Sequence, residues 1–207
     1  MKVIFGLRGT MTQIFDEQGH VVPVTPIEVG NDCVVVAKRT RKNNGYDALQ
    51  LGFGEANLKR LNKPMEGYFK HSGVEPTRVL HEVRMDSTEG YEVGQHLGVD
   101  LFKPGDVVHV VGQTKGRGFA GGMKRWGWHS GPRTHGSMSH RRVGSTGAGS
   151  SPGHVLKGRH LPGQYGNERV TIKNLQVVRV EPEKGVLFIK GAVPGYHGRL
   201  VLVKGRG

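Results

Sequence analysis

Short runs rich in Val, Ile and Leu, separated by Gly, Asn, Asp and Pro, recur through residues 1–112. Runs of this kind are typical of strands in an antiparallel sheet or barrel. The pattern therefore predicts strands in five segments: "HVVPVTPIEV", "DCVVVAKR", "YDALQLGFG", "RVLHEVRM" and "GDVVHVVG".

One short helix is predicted among these strands, in "NKPMEGYFKHSG". Asn62 suits the N-cap, Pro64 suits the first turn, and Gly73 is placed to end the helix. The strand pattern returns in "ERVTIKNLQVVRVEPEKGVLFIKGAVPG", where "EPEKG" joins two apolar runs as a hairpin. "RLVLVKG" supplies a last strand.

Residues 113–166 show neither strand alternation nor a helical period. They contain nine Lys and Arg, five His and fourteen Gly, and no Asp or Glu occurs from Val107 through Asn167. Because like charges repel, such a stretch needs its counter-charge from another molecule. A loop of this length is also unusual in a compact domain. We therefore expect it to be disordered in the free protein and ordered on its partner.

The composition points to a polyanionic partner. The chain has 207 residues, enough for one or two domains, with 30 Lys and Arg against 17 Asp and Glu and a net charge of +13. Such an excess favours nucleic acid or an anionic membrane surface. The single cysteine, Cys33, excludes an internal disulfide and a multi-thiolate zinc site and fits a reducing cytosol. No apolar run is long enough for secretion or for spanning a membrane.

Two patterns suggest other chemistry, and neither has the context it needs. "GRGFAG" at residues 116–121 matches a dinucleotide-binding pattern, but no helix signal and no ribose-binding acid follow it. The histidines of the basic stretch lack thiolates, regular spacing and orienting carboxylates. These histidines are His129, His135, His140, His154 and His160. Carboxylates elsewhere, such as Asp16, Glu17, Asp100 and Asp106, leave an enzyme formally possible.

The two tryptophans lie in "KRWGWHS", among glycines and cations. A place in the core is one interpretation, although the segment lacks the apolar neighbours of a buried strand. In the other, the rings stack on RNA bases, worth roughly 1–3 kcal/mol per base, while Lys and Arg neutralise phosphates. The predicted RNA-binding residues are Lys115, Arg117, Lys124, Arg125, Trp126, Trp128, His129, Arg133, His135, His140, Arg141, Arg142, Lys157, Arg159 and Arg169.

Several long segments resemble the bacterial form of the universal L-three family of large-subunit ribosomal proteins. They are "GYDALQLGF", "NKPMEGYFKHSGVEPTRVLHEVR", "VVGQTKGRGFAGGMKRWGW", "THGSMSHRRVGS", "PGQYGNERVTIKNL" and "LFIKGAVPG". By position, the family's "KRW" falls on Lys124, Arg125 and Trp126. Its "THG…SHR" segment falls on His135, Gly136, Ser139, His140 and Arg141.

The resemblance implies a mainly β fold, built on a six-stranded translation-type (Greek-key) β-barrel from residues 1–112 and 167–207. A small α+β insertion is expected at about residues 56–90. Residues 113–166 are expected to form a long irregular basic loop extension that penetrates ribosomal RNA toward the peptidyl transferase centre. The expected partners are large-subunit ribosomal RNA and neighbouring large-subunit ribosomal proteins, in the cytoplasm. We expect no catalytic residue, cofactor, metal, membrane or small-molecule substrate.

The chain departs from the family pattern at two places. Near the N-terminus "GLRGTMTQIF" carries Arg8, Gly9 and Thr10 where the family usually reads like G-x-K-[IV]-G-M-T. At the loop tip Ser150 stands where some bacterial members carry a methylated glutamine, so that modification is not expected. An RNA-modifying enzyme and a general basic RNA chaperone remain the alternative functions.

Overall fold

The computed structural model describes residues 2–30 and 33–206. The chain divides into two compact units. The core unit comprises Met1–Gln113 with Arg169–Gly207, and the extension comprises Thr114–Glu168.

Strands dominate the described part of the chain, as the hydrophobic pattern predicts. They are β1 (Val3–Arg8), β2 (Thr12–Phe15), β3 (Val21–Glu28), β4 (Cys33–Arg39), β5 (Ala48–Glu55), β6 (Thr77–Arg84), β7 (Val107–Gln113), β8 (Phe119–Ala120), β9 (Gly163–Gln164), β10 (Arg169–Glu181), β11 (Val186–Lys190) and β12 (Leu200–Gly205). The helices are α1 (Arg41–Asn44), α2 (Lys63–Ser72) and α3 (Gly122–Trp126), with 3₁₀ turns at Leu58–Arg60, Val99–Leu101 and Pro182–Lys184. Each segment predicted as a strand contains one, so the mainly β prediction is confirmed.

Six antiparallel strands of the core unit form a closed ring in the order β1, β12, β7, β10, β11, β3. The ring closes where β1 returns to β3, with Leu7 opposite Glu28 and Arg8 opposite Ile27. Inward-facing side chains fill it, among them the fully buried Ile4, Val110 and Leu187. At roughly 1.5–3 kcal/mol per fully buried aliphatic side chain, these residues supply the main stabilisation.

A second, three-stranded sheet in the order β4, β5, β6 carries the predicted helix. The Asn62 side chain caps α2 by accepting a hydrogen bond from the Met65 amide at 3.0 Å. Gly73 ends the helix in the left-handed conformation (φ 67°). Phe69 of α2 is buried with Val34 of β4, so the sheet and the helix share a small core. The helix, its cap and its end are as predicted.

The predicted hairpin at "EPEKG" is also confirmed, since β10 and β11 pair with Glu181 opposite Val186. Gly185 turns the chain with φ 63°. A Cβ there would lie 2.9 Å from the Gly30 nitrogen, and the Gly185 carbonyl accepts a hydrogen bond from the Val29 amide at 2.8 Å. This close approach of two backbones requires glycine.

The unusual N-terminal residues make the connection between β1 and β2. The Arg8 amide donates to the Arg199 carbonyl at 2.9 Å, and the Gly9 amide donates to the Pro26 carbonyl at 2.8 Å. A Cβ on Gly9 would come within 2.7 Å of the Pro26 ring. Gly9 therefore lets the chain pass close to β3 before β2 begins.

Candidate nucleic-acid interface

The extension begins and ends with two chain segments held side by side. The Thr114 amide donates to the Glu168 carbonyl at 2.9 Å, and the Arg117 amide donates to the Tyr165 carbonyl at 2.8 Å. Beyond these bonds β8 pairs with β9. The Arg117 guanidinium also lies 5.5 Å from the centre of the Tyr165 ring. The base of the extension, residues 114–128 and 160–168, is therefore a defined structure and not an open loop.

The short helix α3 directs two predicted RNA-binding residues onto one backbone oxygen. Arg125 Nη1 and Trp126 Nε1 each donate to the Leu161 carbonyl at 2.9 Å. Gly127, in the left-handed conformation (φ 70°), ends the helix directly after Trp126. The helix is thus linked to the returning segment by side chains of adjacent residues.

Trp126 is stacked on a histidine at the base of the extension. Its ring lies 4.0 Å from the His160 ring, with 4° between the planes, and the Arg125 guanidinium is 4.8 Å from the Trp126 ring. The tryptophan remains 41% exposed. Trp126 is therefore an exposed residue of the extension and not a member of the buried core, so the core interpretation is wrong for this residue.

Trp128 is half-buried and packs against the backbone of α3. A Cβ on Gly122 would come within 2.1 Å of the Trp128 ring, so only glycine permits this contact. The same tryptophan lines a cleft of about 490 Å³ together with Arg159 and His160. An aromatic face beside a guanidinium and an imidazole is suited to an unpaired base and its phosphate.

Fourteen of the fifteen predicted RNA-binding residues lie in the extension, and twelve of these fourteen are exposed. The exceptions, Arg125 and Trp128, are half-buried. Between described residues, no ion pair involves a Lys or Arg of the extension. Glu168 is the only acid in the extension, against nine Lys and Arg. Most of this positive charge therefore faces solvent without a carboxylate partner.

The fifteenth residue, Arg169, begins β10 in the core unit and lines a cleft of about 690 Å³ with His81. Partial burial, with the charges of Arg169 and Lys204, lowers the pKa of His81 below its usual value. Burial, with Arg169, also lowers the pKa of Lys204. Arg169, Lys204 and protonated His81 therefore repel one another, and an anion beside them would stabilise their charged forms.

Replacing Arg169 with glutamine should raise the pKa of His81, because a neighbouring positive charge is removed. The native depression means that protonating His81 disfavours the folded state, so its contribution to stability falls as pH drops through about 6.5. The loss of folding stability at acidic pH should therefore be smaller in Arg169→Gln. NMR titration of the His81 ring measures the shift. Arg179→Gln, which removes a cation paired with Glu181, is the control. An unchanged pKa of His81 in Arg169→Gln would refute this account.

Hydrogen exchange of the backbone amides should be slower at the base of the extension than in its distal part. The sequence alone predicts disorder throughout the extension in the free protein. The backbone bonds made by the Arg117, Arg125 and Tyr165 amides lead us to expect measurable protection at the base. The exposed residues 141–158 should exchange near the unfolded limit until RNA is added. Strong protection of those distal residues without RNA would contradict this expectation.

The residues that position the tryptophans have only weak signals in the sequence. His160 appeared only as one of five histidines, and the carbonyl of Leu161, which accepts both side-chain bonds, carries no sequence signal. Leu161 lies 35 residues beyond Trp126, so local periodicity could not connect them. Gly122 was one glycine among many in the same region. The adjacent "GG" before "MKRW" was the available hint of a close backbone approach.

Among the described residues, no group of three or more His, Cys, Asp or Glu side chains is arranged to hold a metal ion. Within the same residues, no helix has the length and apolar character needed to cross a membrane.

A mainly β unit carrying an exposed extension rich in unpaired cations is typical of proteins that bind a polyanion. The family model described as "Ribosomal protein L3" matches residues 78–186. The chain belongs to the ribosomal protein L3 family, which confirms the resemblance. This is a family of structural proteins and not of enzymes.

Named relatives match over nearly the whole chain. The chain is 53% identical to the large ribosomal subunit protein uL3 of Carboxydothermus hydrogenoformans, across 98% of this chain and 96% of the relative. It is 54% identical to the uL3 protein of Pelotomaculum thermopropionicum, with the same two coverages. For the uL3 protein of Thermotoga maritima the identity is 51%, across 99% of this chain and 97% of the relative.

Proposed function

We propose that this protein is a structural constituent of the large ribosomal subunit that binds large-subunit ribosomal RNA in the cytoplasm. The observation that carries the proposal is the charge of the extension. Nine Lys and Arg stand against one acid, and no ion pair between described residues neutralises any of those cations. Ribosomal RNA supplies the missing negative charge along its phosphates.

The base and the distal part of the extension have different roles in this proposal. The exposed distal cations, such as Arg133, Arg141 and Arg142, neutralise phosphates, and guanidinium groups do so with paired donors. At the base, the cleft beside Trp128 and Arg159 takes an unstacked base. Glycines along the extension let its backbone approach RNA closely. The extension thereby fills space inside folded RNA near the peptidyl transferase region and supports it.

The core unit holds the two ends of the extension, at Gln113 and Arg169. We propose that its six-strand ring is a translation-type barrel of Greek-key topology, which contacts RNA and neighbouring ribosomal proteins at the subunit surface. The protein joins the RNA early in subunit assembly, and the distal part of the extension, residues 129–159, becomes ordered as the RNA folds around it. This role requires no cofactor and no small-molecule substrate.

The number of copies in salt-washed large subunits tests the proposal. A structural constituent should be present at one copy per subunit and remain bound after a high-salt wash. A general basic RNA chaperone would be substoichiometric and would wash off, and an RNA-modifying enzyme would be absent from mature subunits. Quantitative mass spectrometry of washed subunits measures the ratio. A value far below one would reject the proposed function.

A further inference from the structure

The residues between Arg8 and Lys38 have a charge pattern opposite to that of the extension. Residues 9–37 contain no Lys or Arg, although the chain as a whole has a net charge of +13. The same residues include four acids, Asp16, Glu17, Glu28 and Asp32. A surface of this kind repels phosphate, so it is unsuited to RNA.

The most exposed part of this cation-free stretch is the hairpin formed by β2 and β3, here called the edge hairpin (residues 11–24). Its register places Phe15 opposite Val21 and Gln13 opposite Pro23. Asp16 builds the turn, because its carboxylate accepts the amides of Gln18 and His20 at 3.0 and 2.8 Å. The hairpin is therefore held in a fixed shape by its own hydrogen bonds.

One face of the edge hairpin faces solvent and is mainly apolar, with Gln13 as its polar residue. Met11, Phe15 and Val21 are 43%, 67% and 54% exposed, and Pro23 is exposed beside them. The positions follow the alternation of an antiparallel pair, so these side chains share a face. Exposed apolar side chains gathered on one face, next to charged residues, are typical of a protein–protein contact surface.

The outer edge of β2 is open to another strand. Among the described residues β2 pairs only with β3, at the end of its sheet. Pro23 has no N–H, and its carbonyl accepts a bond from the Gly191 amide at 2.9 Å, on the side away from β2. Gln13 and Pro23 are thus a non-hydrogen-bonded pair, as are Phe15 and Val21 two residues on. The N–H and C=O groups of Gln13 and Phe15 therefore point to the open side. β2 also lacks the Lys or Pro that commonly protects an edge.

We propose that the edge hairpin docks a neighbouring basic protein of the same subunit, which adds an extended strand to β2. Apolar side chains of that protein cover Phe15 and Val21, and its cations approach Asp16 and Glu17. This docking rests on the proposed function, because the subunit supplies the basic neighbour. A second copy of this chain is a poor occupant, since its own edge hairpin would bring the same carboxylates together.

Site-specific photo-cross-linking tests the docking in assembled subunits. The full chain, with p-benzoylphenylalanine in place of Phe15, is expressed in cells, and its large subunits are purified, irradiated and analysed by mass spectrometry. We expect a cross-link to one ribosomal protein of net positive charge, through an extended segment. A cross-link to RNA, to a second copy or to an acidic protein would overturn the proposal. So would the absence of any cross-link in subunits that contain one copy of the chain.

Substitutions at Gln13 test directly whether the partner adds a strand to β2. Gln13→Pro removes an N–H that points to the open edge and leaves the bonds between β2 and β3 intact, whereas Gln13→Ala keeps that N–H. In the photoreactive chain, Gln13→Pro should lower the cross-link yield about five- to tenfold, while Gln13→Ala should not. Equal yields from the two variants would overturn strand addition.

Two measurements separate folding and assembly from docking in this experiment. Unchanged thermal unfolding of the free Gln13→Pro chain shows that the substitution leaves the fold intact. If the well-folded photoreactive chain were missing from large subunits, the proposed function would fail, and the docking with it. If the chain were present at one copy without a protein cross-link, only the docking would fail.

Discussion

Replacing Trp126 with alanine should leave the thermal unfolding of the core unit unchanged and reduce incorporation of the protein into large subunits at least fivefold. The contacts of this side chain, to His160, Leu161 and Arg125, all lie within the extension. Their loss removes about 1–3 kcal/mol of interactions that position the base of the extension for RNA. The melting temperature should move by less than about 2 °C.

Leu187→Ala is the matched control, because Leu187 is fully buried in the ring of strands. It should lower stability by about 2–5 kcal/mol and the melting temperature by roughly 4–20 °C. Thermal unfolding without RNA and quantification of both variants in purified subunits give the comparison. A large drop in the melting temperature of Trp126→Ala, with normal incorporation and normal peptide-bond formation, would place Trp126 among the residues that stabilise the core unit.

The affinity of the protein for large-subunit ribosomal RNA should fall steeply with salt. If the extension neutralises about six to ten phosphates, the affinity should drop by roughly 10³–10⁵ between 50 and 200 mM salt, by analogy with duplex nucleic acid. Filter binding or fluorescence titration over that range measures the slope of log affinity against log salt concentration.

A double substitution tests whether individual cations account for that slope. Arg141 and Arg142 are exposed and make no ion pair between described residues, so replacing both with alanine should reduce the slope by about two. Replacing Arg39 and Arg179, which are paired with Glu82 and Glu181, should change it little. A flat titration of the native protein would contradict the phosphate-contact account.

Local patterns predicted eight of the strands, β3–β7 and β10–β12, and helix α2, because each of these depends on neighbours in sequence. β1 and β2 were not among the predicted segments. The cap at Asn62 and the turn ending at Gly185 are examples, since each is decided within a few residues. Closure of the ring was different. It depends on the pairing of Leu7 with Glu28 and of β1 with β12, and these long-range registers leave no local signature. The alternation of residues left an open sheet and a barrel as alternatives, and the family resemblance favoured the barrel.

The features of the candidate interface also differ in whether the sequence alone predicts them. Charge is a property of composition, so the acid-free stretch was visible in the sequence, and the structure places its cations in solvent. The stack of Trp126 on His160 requires two segments to meet, which the sequence could not predict. The edge hairpin was missed for another reason. The polar Gln13 interrupts the apolar alternation of "MTQIF", so β2 was not predicted, and only the sheet order reveals that nothing within the described chain covers Met11, Phe15 and Val21.

β7 and β10 are neighbours in the ring, with Gln113 opposite Arg169. The whole extension is therefore, in topological terms, the connecting loop of an antiparallel hairpin. Loop-closure entropy grows only with the logarithm of length, so this connection costs about 2 kcal/mol more than a four-residue turn. Pairing of β8 with β9 shortens the effective loop and offsets part of that cost. Insertions and deletions beyond the base can thus accumulate during evolution without disturbing the register of the ring, which leaves the length of the extension free to change.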